Sequence, residues 1–450
     1  MAAMRTDLLS EPGSAQYRSA TTPHNSSVVQ QPAAVARPTS AEEVAEVVRW
    51  AADRDLVLLV QASGHGAGAR VGGDQVLVDT SALNGVQIEA QTRTARVGAG
   101  ATWSAVNAVA EAHGLLGLAG SSPTVAVAGY TFGGGIGWLT RPYGMASSAL
   151  LTVDYVDGGG HLRRAADDAP DPMDQAALWA FRGGGGIGIA TALGFDLVAP
   201  QALWASYMLW EIAALQSVVD AWATAIDDIG DALATSISVL HTPPGPPFPP
   251  ELRGVPIVHL AFASSAGEHA AAPLLAALRG APAPTVDSHW APADAARLAQ
   301  IHLDPPGPVP ALGLGRWLGS TTPALAGDLL TPAAGPDSPL ALIELRNVGN
   351  SAPTRAGAMT AVPGPFLLHA VGVASDDGSR NATEQGLSHV HAAAQSADTG
   401  LAAASFAEGR AAVSDGLDSS ALRRLVEVRS AVDPDRRFAP SRILAAGEAV

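Results

Sequence analysis

Cysteine is absent from the 450 residues, and with it disulfides, thiolate catalysis, iron–sulfur clusters and Cys-ligated zinc. Lysine is absent as well, so all 26 basic residues are arginine. That excludes Schiff-base and pyridoxal-phosphate chemistry, and any phosphate loop ending in Gly-Lys-Ser/Thr. Charged residues are scarce, at 15%, and weighted to the acidic side, giving a net −16. Such a chain lacks the basic face that nucleic acid or an anionic membrane would need. No stretch approaches the ~18 uninterrupted apolar residues of a membrane span. The first twenty residues hold Asp7, Glu11, Pro12 and Gly13, and no apolar run of signal-peptide length. The expectation is a cytoplasmic protein without nucleic-acid or membrane partners. The exchange of lysine for arginine, with the alanine excess, reads as a bacterial-like bias of genome composition.

What is present is hydrophobic, at 47% of residues, which excludes disorder as the main state. Residues 1–36 are polar and turn-rich and read as an N-terminal arm. Thr39 and Ser40 can cap a helix over Ala41–Arg54, where Val44, Val47, Val48 and Ala51 recur at helical spacing. Leu56–Gln61 reads as a buried strand that empties into Ser63-Gly64-His65-Gly66-Ala67-Gly68. Strand patterns follow at Val76–Asp79, Val86–Glu89, Ala95–Val97, Leu150–Val156 and Ile187–Val198, with helices at Trp103–His113 and Gln175–Trp179. After Pro200 come strands at Trp204–Trp210, Ile257–Ala263, Ala341–Arg346 and Pro365–Val373, and helices at Ile212–Ile229 and Asp418–Ala431. Proline-rich stretches at Pro243–Pro250, Pro282–Pro292 and Asp304–Pro310 read as connectors. The fold class is α+β, in two domains.

Gly183-Gly184-Gly185-Gly186-Ile187-Gly188 matches a dinucleotide fingerprint in form only, because a helix precedes it and a strand follows. His65 is more informative. Glycines on both sides expose its ring and free the neighbouring amides to approach an anion. Gly129 and Gly133-Gly134-Gly135 with Gly137 form a second such surface, and the two together point to a cofactor with a pyrophosphate. His389 and His391 could share a strand face, but no third ligand accompanies them, so no metal is expected. Asp167, Asp168, Asp171 and Asp174 lie among prolines and read as a solvated turn.

These segments carry a resemblance. Ala62-Ser63-Gly64-His65-Gly66, Gly98-Ala99-Gly100, Ser122-Pro123-Thr124-Val125 with Gly129, and Gly133–Leu139 through Tyr143-Gly144 are its first pieces. Leu178–Gly183 and Asp433-Pro434-Asp435 with Phe438 complete it. In this order the chain resembles the FAD-linked oxidases with a vanillyl-alcohol-oxidase-like (PCMH-type) flavin domain, in the berberine-bridge-enzyme-like branch. The resemblance implies a two-subdomain FAD-binding domain over 37–200 and a substrate domain over 201–420, an antiparallel sheet covered by helices. Residues 421–450 would return to the FAD domain. It implies covalent FAD attached through His65. Flavin contacts map onto Ser63, Gly64, Gly66, Ala67, Gly68, Gly120, Ser121, Ser122, Val125, Gly129, Gly133, Gly134, Gly135, Gly137, Ile189 and Phe438. Bicovalent members carry a cysteine where this chain has Ser122, so a second bond is chemically impossible. Valine at the place of Val125 is typical of oxidases, in which it leaves a route for dioxygen.

The chain also departs from the family. The Tyr-x-Asn-Tyr/Phe motif that often supplies a flavin-facing tyrosine is Ala403-Ala404-Ser405-Phe406 here. Arg436 and Gly186-Ile187 replace other usual residues. A base for substrate oxidation must therefore come from elsewhere, and the second domain's sheet offers Glu344, Arg346, Tyr207 and His369. Glu344 is the first choice, with Arg346 two residues on and on the same strand face. Three readings follow: an oxidase acting on an alcohol, amine or natural-product intermediate and yielding hydrogen peroxide; a dehydrogenase or oxidative cyclase with another acceptor; a non-catalytic flavoprotein.

Overall fold

A computed structural model describes residues 8–305, 307–349, 352 and 354–447. Its first sheet contains β1 (Leu9–Ser10), β2 (Ala34–Ala36), β3 (Val57–Gln61) and β4 (Gln75–Asp79), in the order β1-β2-β4-β3. β2 and β3 both run parallel to β4, so a crossover must join them, and the helix Ala41–Ala52 supplies it. Ser40 accepts a hydrogen bond from the Glu43 N–H at its start, and Val44, Val47, Val48 and Ala51 form its buried face.

The stretch read as an arm is folded onto this sheet, apart from residues 1–7, which lie outside the described residues. The helix Ala15–Ala20 is capped by Ser14, and Tyr17 donates from Oη to the Pro32 carbonyl at 2.8 Å. β2 escaped notice because Ala-Val-Ala is too short to show a period, yet it is wholly buried.

The second sheet holds β5 (Val86–Glu89), β6 (Thr94–Gly98), β7 (Leu150–Val156), β8 (Leu162–Ala166) and β9 (Ile189–Asp196) in the order β5-β6-β9-β7-β8. Ile189 and Phe438 lie in the apolar core between the first two sheets, with Val44, Leu58 and Val156. Phe438 arrives there because the C-terminal chain runs beside β3, with Leu58 N–H donating to the Arg437 carbonyl. The glycines at 183–188 are packed against Met359, Leu425 and Ser441, between the helix Pro172–Phe181 and β9. The acidic turn is less solvated than expected. Asp174 is buried and holds Tyr155 and Arg163, Asp171 caps a helix, and Asp167 pairs with Arg182.

The third sheet comprises β10 (Trp204–Glu211), β11 (Leu233–His241), β12 (Pro256–Ser264), β13 (Val286–Asp287), β14 (Ala291–Pro292), β15 (Ala311–Leu318), β16 (Leu340–Asn347), β17 (Phe366–Val373) and β18 (Asp398–Ala402). Its order is β13-β10-β12-β11-β16-β17-β15-β18, with β14 also on β10, and its pairs are antiparallel. Ile237, Val239, Val258, Leu260, Ile343, Leu345, Leu368 and Ala370 alternate onto one face and form a core with the helices Leu215–Ala225, Thr322–Leu330 and Asp377–Ala394. His389 and His391 belong to the last of these helices, so the strand face expected for them does not exist. Among the described residues no group of His, Asp and Glu is arranged to hold a metal ion. Nor is any described helix long and apolar enough to cross a membrane.

Candidate active site

The opposite face of the third sheet carries polar side chains. Register pairs His259 of β12 with Ser238 of β11, Ser238 with Glu344 of β16, Glu344 with His369 of β17, and His369 with Gly315 of β15. Directly paired residues share a face, so these five positions form one row across the sheet. Arg346, Ser236 and Tyr207 lie two residues along, on the same face. Glu344 is fully buried. Its Oε1 accepts from the Ser236 hydroxyl, from Arg346 Nε at 2.7 Å and from His302 Nε2 at 3.0 Å. Its Oε2 is 3.7 Å from His369 Nδ1.

Burial alone would raise the pKa of Glu344, but Arg346 and His302 outweigh burial and hold it well below the carboxylate range. Glu344, expected as the base, lies here as the ion-paired partner of Arg346 and His302. Sequence reasoning missed the histidine that it anchors. His302 lies on the connector before β15, between Glu344 and Asp304, whose Oδ1 is 2.8 Å from His302 Nδ1. Burial works against its charged form, yet Glu344 and Asp304 lift His302 to about 9. Its Nε2 is also 2.9 Å from Arg346 Nη2. Protonated, His302 donates to Glu344; deprotonated, it accepts from Arg346. The group is hydrogen-bonded in both states, as a proton carrier needs to be.

His369 has a parallel arrangement. Its Nε2 is 3.1 Å from Glu408, and Glu408 with Glu344 overcomes burial to raise it to about 9. Glu408 reaches it because β15 has glycine at 313 and 315. A Cβ on Gly313 would sit 1.8 Å from Glu408 Oε2, and one on Gly315 would sit 2.6 Å from the Ala403 carbonyl and from Phe406 Cβ. The segment 403–408 therefore lies directly on the sheet, with Phe406 edge-on to His369 and beneath the Arg346 guanidinium. Tyr207 stands apart from these ion pairs, its ring 6.1 Å from that of His259.

The glycine segments meet across from this cluster. Ser63 Oγ accepts from the Ala126 N–H, and His65 Nε2 lies 3.0 Å from Thr124 Oγ1, which in turn is 3.2 Å from Ser122 Oγ. The loop of Ser63 to Gly68 is thereby joined to the segment of Gly120, Ser121, Ser122 and Val125. That segment enters the helix Val127–Phe132, which contains Gly129 and ends at Gly133, followed by Gly134, Gly135 and Gly137. Ser405 donates to the Gly133 carbonyl at 2.7 Å, tying this loop to the segment over the sheet. Burial, and next the neighbouring His24, depress His65 to about 4, so its imidazole is neutral. Asp304 and Glu408 act on the same ring, which places His65 within electrostatic reach of both dyads.

The residues fit a flavin nucleotide. Gly66, Thr124, Gly129 and Ser405 remain exposed at this junction. A Cβ added to Gly129 would meet nothing within 4 Å, so an extended ligand has room along the helix. Glycine backbone, two hydroxyls and a neutral imidazole are the donor set a flavin and its pyrophosphate require. Ile189 and Phe438 are not brought to this junction, being held in the core beneath it.

Comparison with known proteins agrees with this reading. Residues 32–166 match the FAD binding domain family. (R)-6-hydroxynicotine oxidase of Paenarthrobacter nicotinovorans is 28% identical over 216 residues, 47% of this chain and 46% of that protein. Reticuline oxidase of Eschscholzia californica is 32% identical over 166 residues, 36% of this chain and 30% of that protein. The matches thus span less than half the length of these curated relatives. The solved structure of 6-hydroxy-D-nicotine oxidase from Arthrobacter nicotinovorans superposes over 97% of each chain with a TM-score of 0.81 at 21% identity. Residues 32–166 thus match the FAD binding domain family, and the chain as a whole has the fold of solved berberine-bridge-like and vanillyl-alcohol-oxidase-type flavoproteins.

Proposed function

We propose that this chain is an FAD-dependent oxidase that removes a hydride from a C–H bond beside a hydroxyl or amino group of a small molecule. Electrons then pass to dioxygen, giving hydrogen peroxide. The observation that carries the reading is the junction of the His65 glycine loop with the segment running to Gly133, which Ser405 ties to the chain lying over the polar face of the third sheet. In this reading residues 37–200 with 421–450 hold the cofactor, and 201–420 hold the substrate. FAD, when bound, supplies the two-electron acceptor. His65 forms its single covalent link, and Ser122, having no thiol, adds none. The glycine segments hold the pyrophosphate, and the face bearing Arg346 and His302 orients the substrate. His302 takes the proton from the substrate O–H or N–H on Nε2 once the substrate has displaced the Arg346 guanidinium from that nitrogen, and then donates it to Glu344. Val125, whose carbonyl accepts from the Trp103 N–H, bounds the route for dioxygen.

The test combines acid precipitation, a substrate screen and reoxidation. Yellow colour should stay in the acid pellet of wild type and move to the supernatant with His65→Ala. Photoreduced protein should reoxidise in seconds in air-saturated buffer, and Val125→Leu should slow this without releasing flavin. Slow reoxidation in both would assign the chain to the dehydrogenases. Failure of any alcohol or amine to bleach the flavin anaerobically would sink the catalytic reading.

A further inference from the structure

His24, in the stretch that the sequence reading left as an arm, lies with its ring stacked on that of His65. The centroids are 3.6 Å apart and the planes 14° from parallel. The contact is held from both sides. Pro23 packs where a residue with a side chain at position 64 would place its Cβ, 2.7 Å away, and Gly64 has φ +71°. Asn25 N–H donates to the Gly64 carbonyl at 3.3 Å. On the other side Val309 N–H donates to the His24 carbonyl and Ser26 N–H to the Val309 carbonyl, at 2.9 Å each. Asn25, buried, donates from Nδ2 to the Ala311 carbonyl at 3.0 Å.

We propose that His24 is a positioning residue for flavin attachment, fixing the plane of the His65 ring. The inference rests on the reading that His65 carries the flavin. Two imidazoles stacked at this distance cannot both be cations, and only a neutral ring is a nucleophile. The charged and titratable groups around His65 are His24, Asp304 and Glu408, with Arg442 donating to the adjacent Gly66 carbonyl. The two carboxylates favour protonation of His65, and His24 opposes it. Attachment joins a ring nitrogen of His65 to the 8α carbon of the flavin and expels one proton from each. The two electrons released pass through the flavin to dioxygen, which leaves with those protons as hydrogen peroxide.

The experiment uses full-length protein incubated with FAD in air-saturated buffer at pH 7 and pH 5, with acid-precipitable flavin followed over time. His24→Ala should slow covalent incorporation roughly tenfold or more at both pH values, the cost of a misoriented nucleophile. Quenching of flavin fluorescence should still report binding of FAD. His24→Phe keeps a flat ring against His65 and should restore incorporation to near the wild-type rate. Incorporation in His24→Ala at the wild-type rate would overturn the proposal and leave the attachment at His65 intact. Equal loss in His24→Phe and His24→Ala would overturn stacking as the device. Wild-type flavin that is entirely acid-soluble would overturn both readings.

Discussion

At the scale of the residue, Glu344 separates two roles that a carboxylate on a strand can have. A base needs a lone pair facing the substrate and a pKa near the working pH. Glu344 is fully buried and bonded to Ser236, Arg346 and His302. Glu344→Gln would leave Arg346 and His302 facing a neutral amide, and the loss of one member of a buried ion cluster costs about 3–5 kcal/mol. We expect a urea midpoint lowered accordingly, with the His302 pKa falling as its counter-charge disappears. A variant of wild-type stability with kcat alone abolished would restore Glu344 as the base. The shared face of Glu344 and Arg346 was legible from their positions two apart on one strand, whereas the pairing that adds His369 to it was not. His302 and Asp304 were not legible, because they lie on an irregular connector before two prolines, where no period marks an inward side chain. Only the fold brings that connector over the sheet.

Among elements, β15 shows how a strand of small residues builds a site on its neighbour. Gly313 and Gly315 leave space into which the segment 403–408 descends, bringing Glu408 to His369. Gly313→Ala should expel the Glu408 carboxylate, at a cost of about 1–3 kcal/mol for the buried partner left unsatisfied. His369, left with Glu344 as its counter-charge, should titrate below about 9, an outcome that imidazole NMR can follow. Unchanged titration in Gly313→Ala would mean that Glu408 does not sustain the charge on His369. β15 and β11 went unread in the sequence, the first for its glycines and the second for a polar face of Ser236 and Ser238 that is nonetheless buried. Strands with hydrophobic runs, such as β7 and β16, were placed to within a residue or so. The helices at 41–52 and 419–432 were readable from caps and period together. The arm and β2 were lost because a three-residue strand gains its stability from its neighbours, β1 antiparallel and β4 parallel, information no local window contains.

For the molecule as a whole, five histidines divide about the ordinary imidazole pKa, His302 and His369 above it and His259, His65 and His24 below, and the division sets its response to pH. His302 and His369 are raised to about 9 by their carboxylates. In the unfolded chain they lose their protons near 6.5. Their contribution to stability is therefore complete below about 6.5 and is lost as the pH rises through about 9. His259 is depressed to about 4, chiefly by burial, and so is His65 while its ring bears no cofactor. For these two the sign is opposite: the unfolded state takes up protons first, so their contribution is present above about 6.5 and is lost as the pH falls toward about 4. Thermal stability should consequently peak near pH 6.5 and decline on both sides. Catalysis should follow another course, because His302 can accept a proton only once it has lost its own. The rate at low substrate concentration should rise toward pH 9 even as the melting temperature falls. His302→Asn, which cannot carry the proton, should abolish that alkaline rise, while His369→Asn should retain it. Melting curves and kcat/KM across pH 5–10 test both halves. A rate profile in which wild type and His302→Asn rise in parallel would assign the proton to another group, and a melting temperature still climbing from pH 7 to 9 would show that the paired histidines do not hold their charge in the fold.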